Sequence, residues 1–199
     1  KEGAWFTGDE TAKNPKWSLV GQRLVDHIRC VDYLETLQFV DKSRIGVIGH
    51  SLGGESATIL MAMDDRIAAG VESCGFTMMR TLEDAAATYC LPTWCMFPIE
   101  SFKKELEKPI GKRNLPFDFD DFMALWVPRP MFLNEVKNEP DNWTSQRQTA
   151  QAILELQKLY KFFNASEKFY AYIIESTHDF NPYVQPIAFD WLDYWLKGR

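Results

Sequence analysis

Residues Ile45-Gly46-Val47-Ile48-Gly49-His50-Ser51-Leu52-Gly53-Gly54 decide how this chain is read. The run Ile45–Ile48 is short, apolar and rich in β-branched residues. It lacks the alternation of a half-exposed strand, so it predicts a buried strand of a parallel sheet. From Gly53 to Met63 the sequence is rich in Ala and Leu and predicts a helix. Between them stands Gly-x-Ser-x-Gly, in the strand–turn–helix context that pattern requires to carry chemistry. A sharp turn there leaves Ser51 strained, with its hydroxyl exposed. Side chains two residues to either side are expected to clash, so Gly49 and Gly53 are read as needed, with Gly54 giving further clearance. The helix that starts here points its unpaired N–H groups and positive dipole end at the serine. The N–H of Leu52 is then placed to donate to an oxyanion.

Outward from this turn the chain alternates helix and strand. Leu24, Ile28, Val31 and Leu34 recur at helical spacing and predict an amphipathic helix over about 19–39. Asp41-Lys42-Ser43 reads as a turn. Ala68–Cys74, Met131–Val136 and Phe169–Ile174 read as further strands. Ile153, Leu156, Tyr160 and Phe163 mark one later helix, and Ile187, Trp191, Leu192 and Trp195 a closing one. This order implies an α/β fold, a mostly parallel sheet with helices on both faces. Residues 1–199 read as one domain. Segment 76–117, with prolines at 92, 98, 109 and 116, a helix near 80–89 and a charged stretch at 101–108, reads as a lid-like insertion.

A serine hydroxyl is a poor nucleophile until a base takes its proton. Three histidines compete for that role. His27 falls within the first helix and reads as a surface or packing residue. His50 is adjacent to Ser51, but neighbouring side chains on a tight turn point apart, so its ring is not expected to reach the hydroxyl. His178 follows the last strand and precedes the closing helix, where the chain order Ser, acid, His places the base. The acid is expected after the Met131–Val136 strand. Glu135 sits too near the strand to be favoured, which leaves Glu139 and Asp141 as alternatives. Its task is to hold one imidazole tautomer and stabilise the ring when charged.

Ile45–Gly54 resembles the nucleophile elbow of α/β-hydrolase esterases. Gly21–Gly54 and Phe117–Glu135, the latter marked by Pro128-Arg129-Pro130, resemble the dienelactone-hydrolase-like and acetyl xylan esterase-like branches. Counted from Pro130, that resemblance places the acid at Glu139, followed by Pro140; Asp141 has the usual residue type but needs a two-residue insertion. Dienelactone hydrolases use a cysteine nucleophile, so Ser51 points instead to ester hydrolysis by a Ser-His-acid triad. The resemblance also implies strands before the elbow, and a His-Gly-Gly-like loop for a second oxyanion donor. The residues before Ile45 read mostly as one helix and hold neither. Loss of one such donor costs on the order of 100-fold in rate. The fold is thus expected to be N-terminally short. The edge near Ile45–Ile48 would be an aggregation hazard unless an N-terminal segment or a dimer partner covers it.

Composition bounds the rest. Of 199 residues, 46% are hydrophobic and 25% charged, a globular balance, and the formal net charge is -6. No Lys/Arg stripe forms, so no nucleic-acid partner is expected. No apolar run approaches the roughly 20 residues of a membrane span, so no membrane partner is expected either. Cys30, Cys74, Cys90 and Cys95 form no C-x-x-C pair, which with three histidines leaves no zinc-site pattern. They read as mostly buried reduced thiols, with a Cys90–Cys95 bridge the alternative on export. The compartment stays open between cytoplasm and export. No cofactor is expected, and the substrate is expected to be a small ester such as an acetylated sugar. Trp94, Trp126 and Trp143 read as core or lid residues, with sugar stacking the alternative. A peptidase or thioesterase of the same fold, and an inactive module, are the rival readings.

Overall fold

A computed structural model describes residues 18–80, 104–105, 108–137 and 146–198. The expected helix near 80–89, most of the charged stretch 101–108, Cys90, Cys95, Trp94, Trp143, Glu139 and Asp141 lie outside the described residues. The elements run α1 (Leu19–Thr36), β1 (Ile45–His50), α2 (Leu52–Met63), β2 (Ile67–Ser73), α3 (Phe119–Ala124), β3 (Met131–Val136), α4 (Gln146–Phe162), β4 (Phe169–Ile174) and α5 (Gln185–Lys197), with a 3-10 turn at Ser166–Lys168. The strands form one parallel sheet in the order β1-β2-β3-β4.

Strand alternation sends two sets of side chains to opposite faces. One face joins Ile45, Met131 and Leu133 to residues from α1 to α4, among them Val31, Leu60, Phe119 and Leu156. The other face is smaller: Val71 and Phe132 pack against Ala188 of α5, with Tyr172, Trp191 and Leu192 around them. Helices therefore cover both faces, as the sequence pattern requires. The predicted α1 stripe meets its core, with Val31 buried and Leu24, Ile28 and Leu34 packed against it. Ser18 caps that helix, its hydroxyl accepting from Gly21 N at 2.9 Å.

The helix Phe119–Ala124 has no counterpart in the sequence expectations. Asp118 caps it and Asp121 returns a bond to the cap backbone. The buried Asp118 carboxylate also accepts from Met79 N and Arg80 N at 2.9 and 2.7 Å, tying the chain after β2 to this helix. Burial pushes the Asp118 carboxyl up to about 6 against the pull of these donors. Both described flanks of 76–117 enter the principal core through Phe76, Met78, Met79 and Leu115. Pro128-Arg129-Pro130 gains a physical role: the Arg129 guanidinium donates to the carbonyls of Met61, Asp64, Ile67 and Leu125, closing the C-terminal end of α2. Trp126 is fully buried and donates its indole N–H to Thr58 O at 2.9 Å. It is a core residue and offers no face for a sugar. Of the two described cysteines, Cys74 is buried and Cys30 is exposed. No helix among the described residues is long and apolar enough to cross a membrane.

Candidate active site

The turn between β1 and α2 has the strain its sequence implies. Ser51 sits at φ 57° and ψ -123°, a region that L-residues enter at a cost of about 1–3 kcal/mol. The surroundings hold it there. Ser51 N donates to Ser73 O at 2.7 Å, and Ser51 O accepts from Glu55 N at 3.0 Å. A methyl group on Gly49 would stand 1.9 Å from Gly53 O, so the turn tolerates no side chain there. The expectation for Gly53 does not hold: among the described residues nothing lies within 4 Å of a Cβ built on it. Clearance is needed one residue later. A Cβ on Gly54 would meet Ser73 O at 2.8 Å and Glu72 Oε1 at 2.9 Å, because α2 starts directly above the chain leaving β2.

His178 reaches the serine across 127 residues of sequence. Its Nε2 lies 2.7 Å from Ser51 Oγ, a hydrogen-bond distance suited to proton transfer. The loop between β4 and α5 that carries it is closed by its own polar residues. Ser176 Oγ donates to Asp179 Oδ1 at 2.6 Å, Asn181 Nδ2 donates to Ser176 Oγ at 3.1 Å, and Gln185 Nε2 donates to Phe180 O at 2.7 Å. Asp179 is thereby engaged within the loop. Leu52 is the first residue of α2, so its N–H belongs to the helix end that has no intrahelical acceptor. Glu135 is buried within β3, and Glu72 is buried beneath the elbow with Oε1 accepting from Gly75 N at 2.5 Å.

His27 lies on α1, beside a small pocket lined also by Arg23 and Glu55, and takes no part in the Ser51 contact. His50 does not bond Ser51 either. Its Nδ1 lies 3.1 Å from Ser73 Oγ, and Asn134 Nδ2 donates to that same oxygen at 2.9 Å. The His50 and His178 rings stand 5.0 Å apart. Burial, then the neighbouring His178, hold the His50 pKa below its ordinary 6.5. Sequence reasoning passed over Ser73 and Asn134, because only strand register brings them beside the turn.

The prolyl oligopeptidase family matches residues 8–108, just over half of the chain. The elbow and the whole stretch Gly21–Gly54 fall inside that match. No curated protein matches. Among solved structures, a glucuronoyl esterase from Solibacter usitatus has 19% identity and a TM-score of 0.70, over 89% of this chain and 48% of that one. A promiscuous CE15 esterase from a marine bacterial metagenome has 18% identity and a TM-score of 0.71, over 90% and 49%. A glucuronoyl esterase from Sporotrichum thermophile has 19% identity and a TM-score of 0.69, over 90% and 52%. The chain thus spans about half the length of the structures it matches, and its parallel sheet and helices superpose on theirs. The chain belongs to the prolyl oligopeptidase family and has the α/β-hydrolase fold.

Proposed function

We propose that this chain carries the nucleophile and base of a serine hydrolase that cleaves carboxylic esters. The observation that carries the reading is the 2.7 Å contact between His178 Nε2 and Ser51 Oγ at a strained elbow. Ser51 Oγ attacks the ester carbonyl as His178 Nε2 takes its proton. The tetrahedral oxyanion forms beside Leu52 N–H and the positive end of α2. His178 then gives the proton to the leaving alcohol, and the acyl-enzyme remains. Water enters, His178 takes a proton from it, and the acid is released with Ser51 restored. Glu139 or Asp141 serves as the acid that orients His178. Substituting each separately identifies it: Glu139→Gln or Asp141→Asn should lower kcat by about 10³–10⁴-fold, and the other by no more than about threefold.

The solved relatives include glucuronoyl esterases and a methylesterase, which favours esters of sugar acids as substrates, with acetylated sugars the alternative. The family assignment favours a second reading, a peptidase. A panel of p-nitrophenyl acetate, a methyl ester of glucuronic acid and a proline-containing peptide anilide separates them. Turnover of an ester but not of the anilide is expected; turnover of the anilide alone overturns the esterase reading.

We further propose that additional β-structure covers the outer edge of β1 in the working protein. Among the described residues β1 pairs only with β2, and Ile48 is 38% exposed. An unpaired apolar edge templates association. The isolated 199-residue chain is expected to elute as oligomer or aggregate in size-exclusion chromatography with light scattering. A stable, folded monomer would contradict this.

A further inference from the structure

At the carboxyl end of the sheet, on the α5 face, one row of side chains is polar. His50 pairs with Ser73 in β2, and Ser73 with Asn134 in β3. Two residues earlier the same face carries Ile48, Val71 and Phe132, which are apolar. Ser73 and Asn134 are fully buried. Burying such groups costs stability unless they are hydrogen-bonded, and the bond between them does not by itself explain why they stand there. Their bonds lead to one place. Asn134 Nδ2 donates to Ser73 Oγ, and Ser73 Oγ meets His50 Nδ1. The His50 ring in turn contacts two residues of the β4–α5 loop: His178 at 5.0 Å and Phe180, stacked at 6.3 Å. The nucleophile's own neighbour is thus fastened to the sheet on one side and to the loop bearing the base on the other.

We propose that His50 is a positioning residue, anchored by Ser73 and Asn134, which holds the His178 ring at Ser51 and does so only as a neutral imidazole. This rests on the serine-hydrolase reading of Ser51 and His178. The requirement for neutrality follows from the reaction. His178 becomes an imidazolium in both half-reactions, and a second cation at ring-contact distance opposes that charge. Among the described residues, the ionisable groups acting on His50 are His178 and Asp179, both from the β4–α5 loop; Ser73, Asn134 and Phe180 are uncharged. Burial and His178 lower the His50 pKa, and Asp179 raises it less. A lowered pKa keeps the ring neutral where an ordinary histidine has begun to charge, so the protonated form appears only on further acidification.

The test is the pH dependence of kcat and KM for p-nitrophenyl acetate in the full-length natural protein and its variants. His50→Ala is expected to lower kcat about 10- to 100-fold with KM within about threefold, as for a misplaced catalytic group. His50→Phe keeps the ring contacts and should recover most of kcat at alkaline pH. Its acid limb should report one proton, where the wild-type limb steepens towards two. A residue that merely filled space would lower kcat without changing that slope. If His50→Ala fails to fold by circular dichroism, the comparison of His50→Phe with wild type decides alone. A one-proton limb in both active proteins, or a His50→Ala kcat within about twofold of wild type, overturns this inference only. A wild-type protein without Ser51-dependent turnover overturns the underlying reading as well.

Discussion

Replacing Ser51 with alanine is expected to lower kcat for ester hydrolysis by roughly 10⁴–10⁶-fold, the loss typical of removing a nucleophile that acts as one unit with its base. The hydroxyl is the only part of the side chain the chemistry uses. It lies 2.7 Å from His178 Nε2, and the backbone around it is fixed by Ser73 O and Glu55 N, neither of which the substitution touches. Ser51→Ala should therefore melt close to wild type while losing activity. A melting temperature many degrees lower would show instead that the hydroxyl supports the turn. Activity retained to within about tenfold would show that Ser51 is not the nucleophile.

The largest effect on stability is expected at Gly49. A Cβ there would stand 1.9 Å from Gly53 O and 2.2 Å from Gly53 C, and both are backbone atoms that cannot rotate away. The strand and helix would have to part, breaking the Ser51–Ser73 and Ser51–Glu55 bonds that define the elbow. A cost above about 4 kcal/mol is expected for Gly49→Ala, a large part of the about 5–15 kcal/mol that holds an ordinary domain folded. Gly53→Ala is the internal contrast. It lies in α2 with open space beyond it, so its stability should change by less than about 1 kcal/mol. Urea unfolding of the two variants checks both. Equal losses at the two positions would mean that the turn is not packed as described.

This contrast shows where sequence reasoning reaches and where it stops. Local pattern located β1, β3 and β4 and the α1 stripe, because strand and helix periods are written in adjacent residues. It singled out Ser51 and His178 for a similar reason: the elbow is a local turn, and chain order points to the loop that faces it; the structure sets the two side chains 2.7 Å apart. It misjudged Gly53 because a steric need depends on what lies across from the residue: among the described residues nothing does at Gly53, whereas the chain leaving β2 lies against Gly54. It missed the helix Phe119–Ala124, which is too short to show a period. The one signal was its capping box, with Asp121 where Glu or Gln is usual. The polar row His50–Ser73–Asn134 could not be read at all. Those residues come from three strands, and only the parallel register sets them side by side.

Reaction of the full-length protein with a fluorophosphonate probe, followed by mass spectrometry of its peptides, reports directly whether Ser51 is activated. Phosphonylation needs a serine activated by a base, without any assumption about substrate. A single labelled serine, Ser51, is expected, with labelling lost in both Ser51→Ala and His178→Ala. A folded protein in which Ser51 stays unlabelled, or in which His178→Ala labels as fast as wild type, would contradict it.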